Sequence, residues 1–98
     1  MAIRVINGVK HYPAFNTEAH AHDFEYQRNH ALNTLDDAHI GLIELSAAEE
    51  EKLEDTIEKA EAVLSMLSFP VTYLPWHLYQ FARETIAWAG CSRDAANR

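Results

Sequence analysis

The sequence predicts a mainly α fold: a small helical domain of two long antiparallel helices and a shorter third, with a short N-terminal β-hairpin. Three observations lead there. Apolar residues recur at steps of three and four through two long segments, Ser46-Ala47-Ala48-Glu49 has the form of a helix-starting box, and Asn7-Gly8 separates two β-prone runs. A chain of 98 residues has room for one core, so a single domain over 1–98 is expected. Its apolar share of 48% and charged share of 23% are globular values, unlike those of a disordered tail or a disulfide scaffold.

Residues 1–15 read as hairpin and connector. Ala2-Ile3-Arg4-Val5-Ile6 and Val9-Lys10-His11-Tyr12 flank Asn7-Gly8, two residues that tolerate the positive φ of a tight hairpin turn. Pro13 is expected to end the second strand. Two strands alone are marginal in water, so Ile3, Val5 and Val9, or their opposite faces, are expected to lie on another element.

Helix 1 has outer bounds 16–45. Asn16 or Thr17 caps it, and Ala21, Phe24, Ala31, Leu35, Ala38, Leu42 and Leu45 form its apolar series, interrupted by Arg28. Gly41 either closes the helix near Ile40, the favoured reading, or sits inside it at a cost of about 1 kcal/mol relative to alanine. Helix 2, over 46–68, starts at the box, where the serine hydroxyl accepts from the amide of Glu49 and the glutamate reaches back to the serine amide. Leu53, Ile57, Ala60, Leu64 and Leu67 then mark one stripe suited to helix-on-helix packing. This helix is expected to stop before Pro70, because the residue preceding a proline avoids the α region. Phe69 to Leu74 reads as an apolar connector. Pro75 is placed as the first residue of helix 3, over 75–89, with Gly90 as its stop and Leu78, Phe81, Ala82, Thr85 and Trp88 as its core face. Residues 91–98 are expected to be a frayed polar tail.

Fifteen acids against eight bases give a formal charge of -7, which disfavours direct contact with nucleic acid or an anionic membrane. No apolar run reaches the roughly 18 residues of a membrane span, and the start lacks a charged head followed by an apolar stretch, so neither anchor nor signal peptide is expected and a cytoplasmic location follows. The single cysteine, Cys91, allows no internal disulfide and reads as an inert reduced thiol. Six histidines, with reference pKa values near 6.5, would bring the net charge toward zero by about pH 5.

Little here points to catalysis. There is no G-x-S-x-G, no glycine-rich phosphate loop and no H-E-x-x-H, so a noncatalytic protein without a cofactor is expected. His20, His22, Asp23 and His30 are the residues a metal would use. On a helix, however, residues two apart point to nearly opposite sides, so His20 and His22 cannot share one ion there, and no metal is expected. Asp23 with Gln27 and His30, or Asp36 with His39, have better spacing but remain incomplete sets.

Two surfaces are more informative. Glu51, Glu54, Asp55, Glu58 and Glu61 recur at helical spacing away from the apolar stripe of helix 2, lining about 15 Å with carboxylates. The bland account is a solvated face that keeps the chain soluble. The functional one is imitation of a phosphate backbone, the strategy of small virus-encoded inhibitors. The second surface follows from the stretch Phe69 to Phe81, which carries five aromatics. With Leu78, Phe81, Thr85 and Trp88 turned to the core, Trp76, Tyr79 and Arg83 face elsewhere, and these are residue types that dominate interface hot spots. Against this stands use of the same rings as core.

The function these features suggest is a small acidic protein-binding module. Its partner would be a protein, such as one handling nucleic acid through a basic groove, and self-association into a homo-oligomer is expected from the apolar stripes of the first two helices. The alternative is a metal- or ligand-binding helical protein that uses the histidines of helix 1.

Overall fold

The computed structural model describes residues 3–67 and 71–96, with side chains throughout those ranges except at 15–19 and 92–96. Pro70, expected to stop helix 2, the ring of Phe69 and the capping side chains of Asn16 and Thr17 lie outside the described residues. The elements run β1 (Arg4–Ile6), β2 (Val9–Asn16), α1 (Thr17–His39), α2 (Ala47–Ser65), β3 (Val71–Pro75) and α3 (Trp76–Ala96). The fold is mainly helical, as expected, with the N-terminal hairpin extended into a three-stranded antiparallel sheet of order β1-β2-β3.

Asn7 at φ 52° and Gly8 at φ 80° make the hairpin turn, the left-handed pair that this dipeptide supplies. The expectation that an apolar face of the hairpin would be covered does not hold: Ile3, Val5, Ile6 and Val9 are all exposed. What supports β2 instead is a second strand. Val71-Thr72-Tyr73-Leu74-Pro75, read from sequence as a connector, pairs along β2 from His11↔Pro75 to Asn16↔Val71, and its alternate residues Thr72 and Leu74 are fully buried.

That pairing also corrects the expected strand end at Pro13. β1 reaches only as far as His11, so Pro13 lies where β2 has β3 alone as neighbour. It also sits at the irregularity between Pro13 and Phe15, the kind of position that tolerates a proline without an N–H.

α1 ends at His39, short of the outer bound at residue 45. Gly41 has φ +84°, and its amide donates to the Ala38 carbonyl while the Leu42 amide reaches back to Asp37. This paired bonding is the Schellman closure, which satisfies carbonyls that the helix leaves open. At the start of α2 both halves of the capping box are present around Ser46 and Glu49. α2 ends at Ser65, three residues before the expected limit.

Helix 3 is corrected at both ends. Pro75 closes β3 and the helix begins at Trp76, then runs through Gly90 to Ala96. Gly90 is thus an interior residue, and the segment expected to be a frayed tail is helical as far as Ala96. A lone glycine lowers helix stability by about 1 kcal/mol but does not by itself stop a helix whose neighbours favour it.

The core lies where the sheet meets the helices. Phe24 of α1, Val63 of α2, Leu74 of β3 and Leu78 and Ala82 of α3 form one buried cluster. Thr85 and Ala89 are buried further along α3, whereas Phe81 and Trp88, expected on the same face, are only half-buried.

Candidate functional site

The first turns of α3 carry a cluster of aromatic rings. Trp76 stacks on Tyr79 at 5.6 Å and 22°, and Tyr12 of β2 meets both, edge-on to Trp76 at 5.4 Å and tilted against Tyr79 at 5.5 Å. The Arg83 guanidinium lies 5.9 Å from the Tyr79 ring centre, within cation–π range. Trp76 remains 53% exposed, and a hollow of about 360 Å³ continues along α3 past Gln80, Arg83, Glu84 and Ala87. The three residues singled out from sequence, Trp76, Tyr79 and Arg83, are therefore brought together. Tyr12 was missed, because only the β2–β3 pairing, with Tyr12 opposite Leu74, carries it to the start of α3.

Glu51, Glu54, Asp55, Glu58 and Glu61 are all exposed on α2, opposite the buried Ala60 and Val63. One of them stands apart. Asp55 pairs with Lys59 at 3.0 Å and lines a cleft toward α3, whereas Glu51, Glu54, Glu58 and Glu61 form a strip with no ion pair among the described residues.

The histidines of α1 do not converge. The His20 ring lies 3.1 Å from a carboxylate oxygen of Asp23, which is only 1% exposed. His22 faces Glu25 at 3.5 Å on the exposed side, and His30 packs against Trp88 at 5.4 Å. Among the described residues no three of His, Cys, Asp and Glu come together as a metal site, and no helix is long and apolar enough to cross a membrane.

Between the three helices runs a cleft that sequence reasoning did not find. It consists of two adjoining cavities, about 290 and 440 Å³, and Gln27, Lys52, Thr56 and Trp88 line both. Helical periodicity assigns Gln27 to a polar position and Trp88 to the core, so only the packing of α1, α2 and α3 places them on one wall.

No family model matches the chain, and neither a curated protein nor a solved structure does.

Proposed function

We propose that the protein is a noncatalytic protein-binding module whose anchor is the patch formed by Tyr12, Trp76, Tyr79 and Arg83. The observation that carries this reading is the ring cluster itself: a half-exposed tryptophan stacked on a tyrosine, with an arginine beside it. Tryptophan, tyrosine and arginine bind strongly because they remove a large, rigid area from water while retaining polar groups at the edge. The strip of Glu51, Glu54, Glu58 and Glu61 favours a partner with a basic groove, such as a nucleic-acid-handling protein, by speeding encounter more than by holding the complex. In that form the protein acts as an inhibitor that occupies the groove.

Two variants separate the anchor from the steering charges. A basic partner captured by the wild-type chain should bind Trp76→Ala about 30-fold more weakly, as expected for a hot-spot residue, through faster dissociation and with little change in salt dependence. The variant E51Q/E54Q/E58Q/E61Q should associate more slowly and lose much of the salt dependence. Captured proteins that bind all three chains equally, at low and high salt, reject the reading.

A further inference from the structure

We propose that the outer edge of β1 takes an added strand, an extended segment of another protein that carries both aliphatic and acidic side chains. The primary observation is geometric. β1 is the outermost strand of the sheet, and the two-residue turn at Asn7-Gly8 makes Ile6↔Val9 the hydrogen-bonded pair that closes the hairpin. Pairs alternate from there, so Val5, opposite Lys10, points its N–H and C=O away from β2. Val5 has no other hydrogen bond among the described residues. An edge of this kind is a template for strand pairing unless proline, a bulge or a charge guards it. β1 has no proline, and its register with β2 is unbroken. Its one charged side chain, Arg4, lies over the Tyr73 ring of β3 at 4.3 Å, so it is turned back across β2 and away from the edge.

The faces and the charge of the hairpin define the occupant. Neighbouring residues on a strand point to opposite faces, so Val5 stands on one face and Ile6 on the other, and both are exposed, Val5 by 66%. A strand laid beside β1 sends alternate side chains to the two faces and covers both. Charge then selects those side chains. Arg4 and Lys10 are the only Asp, Glu, Lys or Arg residues in 1–17, while all fifteen acids lie from Glu18 onward. Neither base is in an ion pair among the described residues. The hairpin is thus the basic end of an acidic chain. Lys10 shares a face with Val5, and an added strand would lie about 10 Å from β2, a gap that a lysine and a glutamate side chain reach across together. A second copy fits less well: apart from Glu44 its acids are all in helices, and β1 set against β1 would bring like charges together. A lipid surface would leave the Val5 backbone groups unpaired.

The test is titration of a short synthetic peptide of alternating valine and glutamate into the isotope-labelled chain, followed by NMR. Saturable shifts are expected at the Val5 and Ile6 amides, and hydrogen exchange at the Val5 N–H should slow. The same peptide with lysine in place of glutamate should bind about tenfold more weakly, and raised salt should narrow that difference. A glutamate peptide methylated on every backbone nitrogen, and so without donors, should not bind. Val5→Pro should likewise abolish binding while unfolding near the wild-type temperature, because β2 does not use the Val5 N–H. No saturable shift, equal binding of the lysine peptide, or undiminished binding of the methylated peptide overturns the proposal. So does a Val5 shift that appears on concentrating the protein alone, which would seat a second copy on the edge, or one that appears with vesicles of phosphatidylserine and phosphatidylcholine but not with the peptide. The peptide comparisons use the unmodified chain, so they decide even if the proline variant fails to fold. Val5 lies outside the patch of Tyr12, Trp76, Tyr79 and Arg83, and failure here would leave the protein-binding reading untouched.

Discussion

Phe24 joins more of the fold than its place in a helical stripe suggests. It is fully buried, its ring lies 6.3 Å from that of Phe81, and it shares a cluster with residues of α2, β3 and α3. Cutting it to alanine removes a large apolar side chain and leaves a cavity at the junction of all three helices and the sheet. Phe24→Ala should therefore cost about 3–5 kcal/mol, read from urea unfolding. Ile57 and Leu64, prominent in the periodic stripe of α2, are only half-buried, and each alanine variant should cost no more than about 1–2 kcal/mol because less area leaves water. Equal losses for Ile57→Ala and Phe24→Ala would place the core elsewhere. The site residues divide in a similar way. Trp76, Tyr79 and Arg83 were legible from sequence because one helix carries them at steps of three and four. Tyr12 and Gln27 were not, since what gives each its role is a neighbour distant in sequence.

Among the elements, both ends of the α1–α2 connection were legible because their chemistry is local. Ser46 and Glu49 exchange bonds within one turn, and Gly41 supplies the positive φ that the Schellman closure requires. β3 was harder to read. Its alternation of half-buried Val71, Tyr73 and Pro75 with buried Thr72 and Leu74 needs a partner strand some 60 residues earlier, and two prolines bracket the segment. Gly90 misled for a related reason, as glycine is enriched past helix ends but is also tolerated inside helices. The two glycines consequently respond in opposite ways to alanine. A Cβ built on Gly90 meets nothing within 4 Å and the residue has no positive φ, so Gly90→Ala should raise stability by about 0.5–1 kcal/mol, seen as a rise of several degrees in Tm. Gly41 has equal space but φ +84°, and Gly41→Ala should lower stability by about 1–2 kcal/mol. A stabilising Gly41→Ala would contradict the closure of α1 described above.

As a whole the molecule is flat and long, 47 × 34 × 16 Å with a radius of gyration of 15.0 Å, where a compact chain of this length would have about 13 Å. The shape follows from where the core sits. Apolar packing concentrates at the sheet end, while the far end of the α1–α2 pair leaves Leu32, Ile40, Leu42 and Ile43 exposed, Ile40 and Leu42 by 71% and 70%. This changes the ground for self-association. Of the helical stripes from which it was expected, Phe24, Ala31 and Ala60 are buried within the chain and Leu35, Leu53, Ile57, Leu64 and Leu67 are half-buried, so the apolar surface left for a second copy to cover is chiefly the helix-connection tip, with Leu42 of the first stripe in it. Two effects then compete. Fully covering one such side chain is worth about 1.5–3 kcal/mol, whereas two chains of charge -7 repel over a distance that shrinks from about 30 Å at 0.01 M salt to about 8 Å at 0.15 M. Association should thus be weak at low salt and strengthen as salt rises, the reverse of the behaviour expected for a basic partner. Sedimentation velocity over a salt series measures it. The expected result is a mass that grows with protein concentration at high salt in the wild-type chain and stays monomeric in Ile40→Ser/Leu42→Ser, whose exposed positions leave the fold intact. A wild-type chain that stays monomeric at high concentration and high salt rules out self-association through this tip and leaves these apolar residues to a different partner.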